Sequence, residues 1–321
     1  MLWVLLLLAG GLVLLWKGAD LLSEGAVGLA ERMGVSQLII GLTIVAMGTS
    51  APELAAGIVA ARDGRGDIVV GNVFGANIAD LAMIAGLVAM VGHLRIQATT
   101  LKREIPAMLV VALLLLPVLR NMAISRLEAV FLVAVFATLM ILTIRTARGS
   151  AARELAREWP VVAEPPRTVG KDILFMVLGF VALAIGANMA VHSAEAIGTR
   201  AGLSDAVIGA TILAIGTTLP ELMTSIVAAV KGRQDISVGN LVGSVIFNSL
   251  LVVGVAALAR PLLISQRLAG GTDYWFMMGA CAAFTVVALL GRGTIRRLSG
   301  ALLLTLYVLY LFYLLRSTGA I

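Results

Sequence analysis

Residues 41–80 read GLTIVAMGTSAPELAAGIVAARDGRGDIVVGNVFGANIAD, and residues 209–248, which begin 168 positions later, read GATILAIGTTLPELMTSIVAAVKGRQDISVGNLVGSVIFN. Aligned without a gap, 22 of the 40 pairs of residues are identical. The identical pairs include Pro-Glu and Gly-Asn dipeptides, whereas two unrelated membrane helices match by chance mainly at Leu, Val and Ala. The sequence therefore predicts a duplicated membrane protein whose site lies where the two copies meet.

The composition is that of an integral membrane protein. Of the 321 residues, 60% are hydrophobic and 13% are charged, whereas a soluble domain carries about 25% charged residues. The net charge of +6 is divided among the loops between apolar runs, which is typical of a polytopic membrane protein. We therefore expect the lipid bilayer as a partner and no nucleic acid. The single cysteine, Cys281, excludes an intrachain disulfide.

Apolar segments long enough to cross a bilayer, or nearly so, follow one another along the chain. The first has no basic residue before it and no cleavage site after it, so a membrane helix is predicted there rather than a signal peptide. A polar stretch at 145–171 divides the segments into five and five. The predicted spans are roughly 1–30, 35–61, 67–92, 104–119, 124–146, 170–198, 203–230, 235–258, 272–291 and 298–316.

These segments predict an all-α membrane protein of ten transmembrane helices. The domains are a first five-helix repeat (1–147), a cytoplasmic linker (148–169) and a second five-helix repeat (170–321). Because five is an odd number, the second repeat enters the membrane inverted relative to the first. With both termini outside, most Lys and Arg residues of the loops fall inside. We therefore expect a multi-pass protein of the cell (inner) membrane with both termini extracytoplasmic.

Each copy carries a polar stripe next to its proline. The residues are spaced 0, 3, 4 and 7, which places them on one face of a helix. Each proline lacks an N–H and disturbs the preceding turn, which frees carbonyl groups. At membrane depth, free carbonyls are tolerated where they line a cavity or coordinate a ligand. The two stripes are Ala46, Thr49, Ser50 and Glu53 in the first copy and Ala214, Thr217, Thr218 and Glu221 in the second.

A second stripe in each copy supplies an opposite wall, with Asn72, Ala76 and Asp80 matched by Asn240, Ser244 and Asn248. A lone Thr or Ser in a span most often bonds its own backbone, and glycines four apart usually only pack helices. Three carboxylates inside spans, however, cost about 2.5–3.5 kcal/mol each on insertion scales, so they need an offsetting interaction. His93, His192 and Cys281 lie outside these stripes and are expected to be structural.

The donor set selects hard cations. Carboxylates, hydroxyls, an amide and backbone carbonyls suit Ca²⁺ and Na⁺, whereas Zn²⁺ or copper would favour His or Cys. With Glu53, Asp80 and Glu221 ionised, one Ca²⁺ leaves a net negative charge, and several Na⁺ ions approach neutrality. Such a site holds either one Ca²⁺ or several Na⁺ ions but not both at once. This mutual exclusion is the electrostatic basis of exchange.

These motifs resemble those of the sodium/calcium exchanger family of the cation/calcium antiporter superfamily, prokaryotic type. The matching residues are GTSAPE (48–53) with GNVFGANIAD (71–80), and GTTLPE (216–221) with GNLVGSVIFN (239–248). The resemblance covers both halves of the chain. It implies a ten-helix inverted repeat with alternating access, in which the first and sixth helices slide across the rest. We expect no enzymatic activity, no cofactor and no obligatory protein partner.

The resemblance also implies individual ligands. The central Ca²⁺ ligands would be Glu53, Asp80, Glu221 and Asn248. The chain departs from the family motif at Ala76 and Thr218, where the motif has Ser, and at Val245, where it has Asn. The flanking Na⁺ positions would use the carbonyls of Ala46 and Ala214 together with Thr49, Ser50, Thr217, Thr218 and Ser244.

Two other transport functions stay open from the sequence. A H⁺/Ca²⁺ antiporter is one, because clustered carboxylates can exchange protons for Ca²⁺. A passive cation channel is the other, although it gives no reason for an inverted duplication. A membrane enzyme is disfavoured because no nucleophile–base arrangement is evident in the sequence.

Overall fold

The computed structural model describes residues 2–154, 168–202 and 214–317, and this part of the chain is almost entirely helical. The elements of the first half are α1 (Leu2–Met33), α2 (Gln37–Ile40), a π-helical turn (Gly41–Val45), α3 (Ala46–Thr49), α4 (Ala51–Arg62), α5 (Gly66–Ile78), a π-helical turn (Ala79–Ile84), α6 (Ala85–Gly92), β1 (Leu94–Arg95), α7 (Ala98–Lys102), α8 (Glu104–Leu119), β2 (Ala123–Ile124) and α9 (Arg126–Glu154).

The described elements of the second half, from α10 onwards, follow a similar order, without a counterpart of α7. Its elements are α10 (Val169–Arg200), α11 (Ala214–Thr217), α12 (Leu219–Val230), α13 (Gln234–Phe247), a π-helical turn (Asn248–Val252), α14 (Val253–Ala259), β3 (Leu262–Leu263), α15 (Thr272–Leu290), β4 (Thr294–Ile295) and α16 (Arg297–Ser317).

The long helices α1 and α10 pack antiparallel as one pair, and glycines let their backbones approach. A Cβ atom added at Gly11 would lie 2.9 Å from the carbonyl oxygen of Gly186, and one added at Gly18 would lie 2.9 Å from that of Gly179. Such contacts leave no room for larger side chains. Small residues between membrane helices allow this close approach of the backbones. The Arg32 guanidinium also pairs with the buried Asp172 carboxylate at 2.6 Å.

Two short antiparallel strand pairs join the halves at the two ends of α8. Strand β1 pairs with β4, with Leu94 opposite Ile295, and β2 pairs with β3, with Ala123 opposite Leu263. We refer to these ends as the β1–β4 end and the β2–β3 end. The sequence does not predict these strands, because two-residue strands carry no periodic signal.

The predicted membrane class is confirmed. In the described part of the chain, seven helices are long and apolar enough to cross a membrane, or eight if the bent pair of 37–49 and 51–62 is one span. Helix α8 coincides with the predicted fourth span, whereas α9 continues to Glu154, beyond the predicted 146. Most of the predicted linker 148–169 and the start of the seventh span lie outside the described residues. The ten-helix inverted arrangement stays a prediction.

Candidate cation site

The two prolines interrupt their spans in the same way. Helix α3 ends at Thr49 and α4 begins at Ala51, with Pro52 in its first turn, and the two parts differ in direction by 45°. In the second half, α11 ends at Thr217 and α12 begins at Leu219. A proline at the first turn of a helix loses no intrahelical hydrogen bond, so the chain restarts there. The break thereby creates new helix N-termini inside the bundle.

These N-termini carry the paired glutamates. Glu53 lies in the first turn of α4, and Glu221 lies in the first turn of α12. Negative charge is favoured at this position, because the helix dipole and the first N–H groups are positive there. The break thus supplies part of the stabilisation that a buried carboxylate needs.

The opposite wall is formed where α5 and α13 pass into π-helical turns. Asp80 lies at the start of the turn Ala79–Ile84, and Asn248 begins the turn Asn248–Val252. Both side chains are 1% exposed. Such π-helical turns inside α-helices often occur at functional sites, where they redirect side chains.

Many oxygens at the predicted site are buried without a protein donor. Burying an unpaired polar or ionised group is costly, so these oxygens call for a ligand or a counter-ion. Among the described residues, the atoms without a hydrogen-bond partner include both carboxylate oxygens of Glu53 and Asp80, Oε2 of Glu221, Oγ of Ser244 and Oδ1 of Asn248.

The hydroxyls next to the glutamates are used differently in the two halves. Ser50 donates from Oγ to Oε1 of Glu221 at 2.9 Å, across the boundary between the halves. Its counterpart Thr218 instead donates to the carbonyl of Ile215, within its own half, at 2.9 Å. Thr217 ends α11, next to Thr218. The site is therefore shared between the halves but is not symmetric in this structure.

The alanines whose carbonyls are predicted as Na⁺ ligands lie in the short helices before each break. Ala46 begins α3, and Ala214 is the first described residue of α11. The carbonyl of Ala46 accepts the N–H of Ser50 at 3.0 Å, so the proline does not free it completely. A carbonyl oxygen has a second lone pair, which is what a cation would use.

Asn240 joins the two halves next to Glu221. It was not among the predicted ligands. Its Oδ1 accepts a hydrogen bond from Thr49 at 3.0 Å, and its Nδ2 donates to Oγ of Ser225 at 3.0 Å and to the carbonyl of Glu221 at 3.4 Å. Asn240 was visible as a member of the second stripe. Ser225 carried no signal, because its counterpart in the first copy is Gly57.

A second pair was also missed. Asn77 donates from Nδ2 to Oγ of Ser249 at 2.9 Å, and its Oδ1 has no partner among the described residues. The pair occurs once, because the counterparts are Val245 and Leu81. Repeat symmetry therefore could not reveal it.

The carboxylates do not form a closed cage. Within the described residues, no three His, Cys, Asp or Glu side chains converge into a ready metal-ligand cluster. A Ca²⁺ ion takes six to eight oxygens at about 2.3–2.6 Å. Hydroxyls, amides, carbonyls and water would therefore complete its shell, which suits an ion that must also leave.

The chain belongs to the sodium/calcium exchanger family, as the family model for the sodium/calcium exchanger protein matches residues 3–145 and 171–316. It is thereby a member of a family of membrane antiporters. The resemblance read from the two motifs is confirmed.

Relatives with this similarity span nearly the whole chain. The putative antiporter CaxA of Alkalimonas amylolytica is 36% identical over 310 residues, which cover 96% of this chain and 97% of that protein. The inner membrane protein YrbG of Escherichia coli is 34% identical and covers 95% of this chain and 96% of its own length. The sodium/calcium exchanger MaX1 of Methanosarcina acetivorans is 32% identical, with coverages of 96% and 97%.

A solved structure shares the fold. The sodium-calcium exchanger NCX_Mj, soaked with zero Na⁺ and Ca²⁺, superimposes with a TM-score of 0.82 at 25% sequence identity. The alignment covers 97% of this chain and 98% of that one. The long α1–α10 pair and the broken helices around each Pro-Glu thus belong to a known exchanger architecture.

Proposed function

We propose that this protein is a secondary active antiporter that exchanges Ca²⁺ for Na⁺ by alternating access, with ten helices arranged as two inverted repeats. The observation that carries the proposal is the set of buried carboxylate oxygens, contributed by both halves, that have no donor among the described residues. Net negative charge buried in a bilayer needs cations. The name of MaX1, a sodium/calcium exchanger, and the family membership support the choice of ions.

The two ions would use overlapping oxygens. Glu53, Asp80, Glu221 and Asn248 would bind Ca²⁺ between the broken helices and the π-helical turns. Na⁺ ions would occupy flanking positions, which use the Ala46 and Ala214 carbonyls and the hydroxyls of Thr49, Ser50, Thr217, Thr218 and Ser244. Because both populations neutralise the same carboxylates, binding of one disfavours binding of the other.

The asymmetric placement of the α1–α10 pair supports alternating access. Apolar residues of the pair form one cluster with Val227 and Ala228 of α12. Thr224 of α12 is fully buried, whereas its counterpart Ala56 on α4 is exposed. The pair therefore covers α12 but not its counterpart α4. Sliding of the pair along the bundle would exchange the two arrangements and change which side of the membrane reaches the site.

We also propose the orientation that the loop charges favour. Arg95 and Arg296 lie at the β1–β4 end, and the Arg95 N–H bonds Gln234, which places the α12–α13 turn there as well. This end would face the cytoplasm, with both termini outside. The inner membrane is the expected location, and the name of the relative YrbG, an inner membrane protein, supports it.

A H⁺/Ca²⁺ antiporter is the second candidate function. Ala76 is the observation that favours it, because this position lacks the hydroxyl that Ser244 supplies in the other half. A Na⁺ position with one oxygen fewer binds Na⁺ less well. The buried carboxylates would then be neutralised by protons.

The decisive assay is ⁴⁵Ca²⁺ uptake into proteoliposomes under an outward Na⁺ gradient, an outward H⁺ gradient or no gradient. Uptake with the Na⁺ gradient at clamped pH is the expected result, and uptake with the H⁺ gradient alone would assign protons instead. Voltage-driven flux without either gradient would indicate a passive channel. Glu221→Gln protein is the control for transport through the proposed site.

A further inference from the structure

The turn between α12 and α13 holds α1 by polar contacts. The ammonium group of Lys231 pairs with the Asp20 carboxylate and lies 3.9 Å from that of Glu24. The guanidinium of Arg233 donates from Nη1 to Oγ of Ser23 at 2.8 Å. The three α1 residues are spaced i, i+3 and i+4, so they present one face to the turn.

These contacts are partly shielded from water. The side chains of Lys231, Asp20 and Glu24 are 32%, 21% and 27% exposed. Screening by salt is weaker for such pairs than for fully exposed ones. The contacts therefore contribute to the position of α1 over α12.

A different ion pair acts inside the α1–α10 pair. Arg32 of α1 bonds Asp172 of α10, so this contact joins two helices that the proposed mechanism moves together. The contacts of Lys231 and Arg233, by contrast, connect α1 to the part of the bundle across which it would slide. Sliding would therefore break the contacts of Lys231 and Arg233 but not the Arg32–Asp172 pair.

We infer that Lys231 and Arg233 are positioning residues that hold α1 over α12 and thereby bias the transporter toward the state in which this half is covered. The inference rests on the alternating-access mechanism proposed above. It adds residues at the β1–β4 end, remote from the carboxylates, that set the balance between the two states.

The sequence makes this bias one-sided. If the pair slid to the other arrangement, α10 would lie over the α4–α5 turn. The residues that face each other there would be the repeat counterparts of those that join α1 to the α12–α13 turn. Asp20, Ser23, Glu24, Lys231 and Arg233 correspond to Asn188, Val191, His192, Asp63 and Arg65. Asn188 cannot form an ion pair with Asp63, and Val191 offers no oxygen to Arg65, so the contacts of Asp20 with Lys231 and of Ser23 with Arg233 have no equivalent. Only the contact of Glu24 with Lys231 keeps an acid–base pair, with the roles reversed, in His192 and Asp63.

The test uses thiol labelling by a hydrophilic maleimide of protein in detergent, in a Cys281→Ala background. Thr224→Cys reports on the half that α1 covers, and Ala56→Cys reports on the equivalent half that is exposed. In the Lys231→Ala/Arg233→Ala variant, we expect labelling of the Thr224→Cys reporter to be about five- to tenfold faster, which is the low end of typical couplings. Labelling of the Ala56→Cys reporter should not rise, and a parallel rise in both reporters would mean general loosening and overturn the inference.

The matched control removes the ion pair that lies within the helix pair. Arg32→Gln combined with Asp172→Asn should leave both labelling rates near those of the background protein. A charge swap provides a rescue: Lys231→Asp alone should speed labelling of the Thr224→Cys reporter, and adding Asp20→Lys should slow it again. Equal acceleration by the control, or no rescue by the swap, would contradict the inference.

Labelling with and without added Ca²⁺ or Na⁺ distinguishes failure of the positioning role from failure of the proposed function. If ions change the ratio of the two labelling rates while the Lys231 and Arg233 variants do not, alternating access stands and the positioning role is wrong. If neither ions nor variants change the ratio, both the positioning role and alternating access are contradicted.

Discussion

Ser50 and Glu221 are joined across the two halves of the chain by a 2.9 Å hydrogen bond from Oγ to Oε1. The bond uses one carboxylate oxygen and leaves Oε2 without a donor among the described residues. Glu221 is therefore held by the first half while part of it stays available for an ion. This arrangement makes the glutamate sensitive to both halves of the bundle.

Ser50→Ala should weaken Na⁺-dependent transport. The substitution removes a proposed Na⁺ ligand and the donor that orients Glu221, and one hydrogen bond contributes about 0.5–1.5 kcal/mol net. We expect the Na⁺ concentration for half-maximal Ca²⁺ exchange to rise roughly two- to tenfold. Ser50→Thr keeps the hydroxyl, as at Thr218, and should behave nearly as the parent protein. Equal loss in both variants would show that the hydroxyl is not the cause.

Glu53→Gln and Glu221→Gln should each abolish Ca²⁺ transport without preventing insertion or folding. Each removes a negative charge from a site in which several carboxylate oxygens have no donor among the described residues, while the amide has nearly the same shape. The measurements are ⁴⁵Ca²⁺ uptake and monodispersity in detergent. Glu195→Gln, at a half-buried carboxylate on α10, is the control and should transport normally. Near-normal uptake by either site variant would refute the assigned ligands.

Exchanging Asp80 and Asn248 tests whether the two walls are equivalent. Both residues lie at the start of a π-helical turn and are buried to the same extent. Asp80→Asn combined with Asn248→Asp preserves the net charge and should retain partial transport. Asp80→Asn alone should reduce Ca²⁺ affinity, because one of three carboxylates is lost. A double variant no more active than empty liposomes would mean that the walls are not interchangeable.

Ala76→Ser should strengthen Na⁺ binding. It adds one neutral oxygen at the position where Ser244 has a hydroxyl without a partner among the described residues, and it adds little volume. The Na⁺ concentration for half-maximal Ca²⁺ efflux should fall roughly two- to tenfold, which corresponds to about 0.5–1.5 kcal/mol. Ca²⁺ affinity should change little. An unchanged Na⁺ curve would show that Ala76 lines no Na⁺ position.

The features that repeat in the sequence were predictable. Pro52 and Pro220 each precede a glutamate at the same register, and helix breaks are found at both positions. Backbone chemistry determines such breaks locally, so no knowledge of packing is needed. The membrane class and the family followed from hydropathy and from the doubled motif.

The features that occur once were not predictable. The Asn77–Ser249 bond and the Lys231–Asp20 pair each depend on how helices from distant parts of the chain are placed. Spacing along one helix identifies a face but not the partner opposite it. The different surroundings of Thr224 and Ala56 likewise reflect where the α1–α10 pair sits, which two similar sequences cannot reveal.

The most direct test of the central claim is reciprocal coupling of the two ions. Proteoliposomes loaded with Ca²⁺ are diluted into Ca²⁺-free buffer containing tracer ²²Na⁺, with pH and membrane voltage clamped by ionophores. Our account predicts that the outward Ca²⁺ gradient drives ²²Na⁺ accumulation above its equilibrium level, and that Glu221→Gln abolishes this accumulation. Efflux of Ca²⁺ without any uphill movement of ²²Na⁺ would contradict Na⁺/Ca²⁺ exchange.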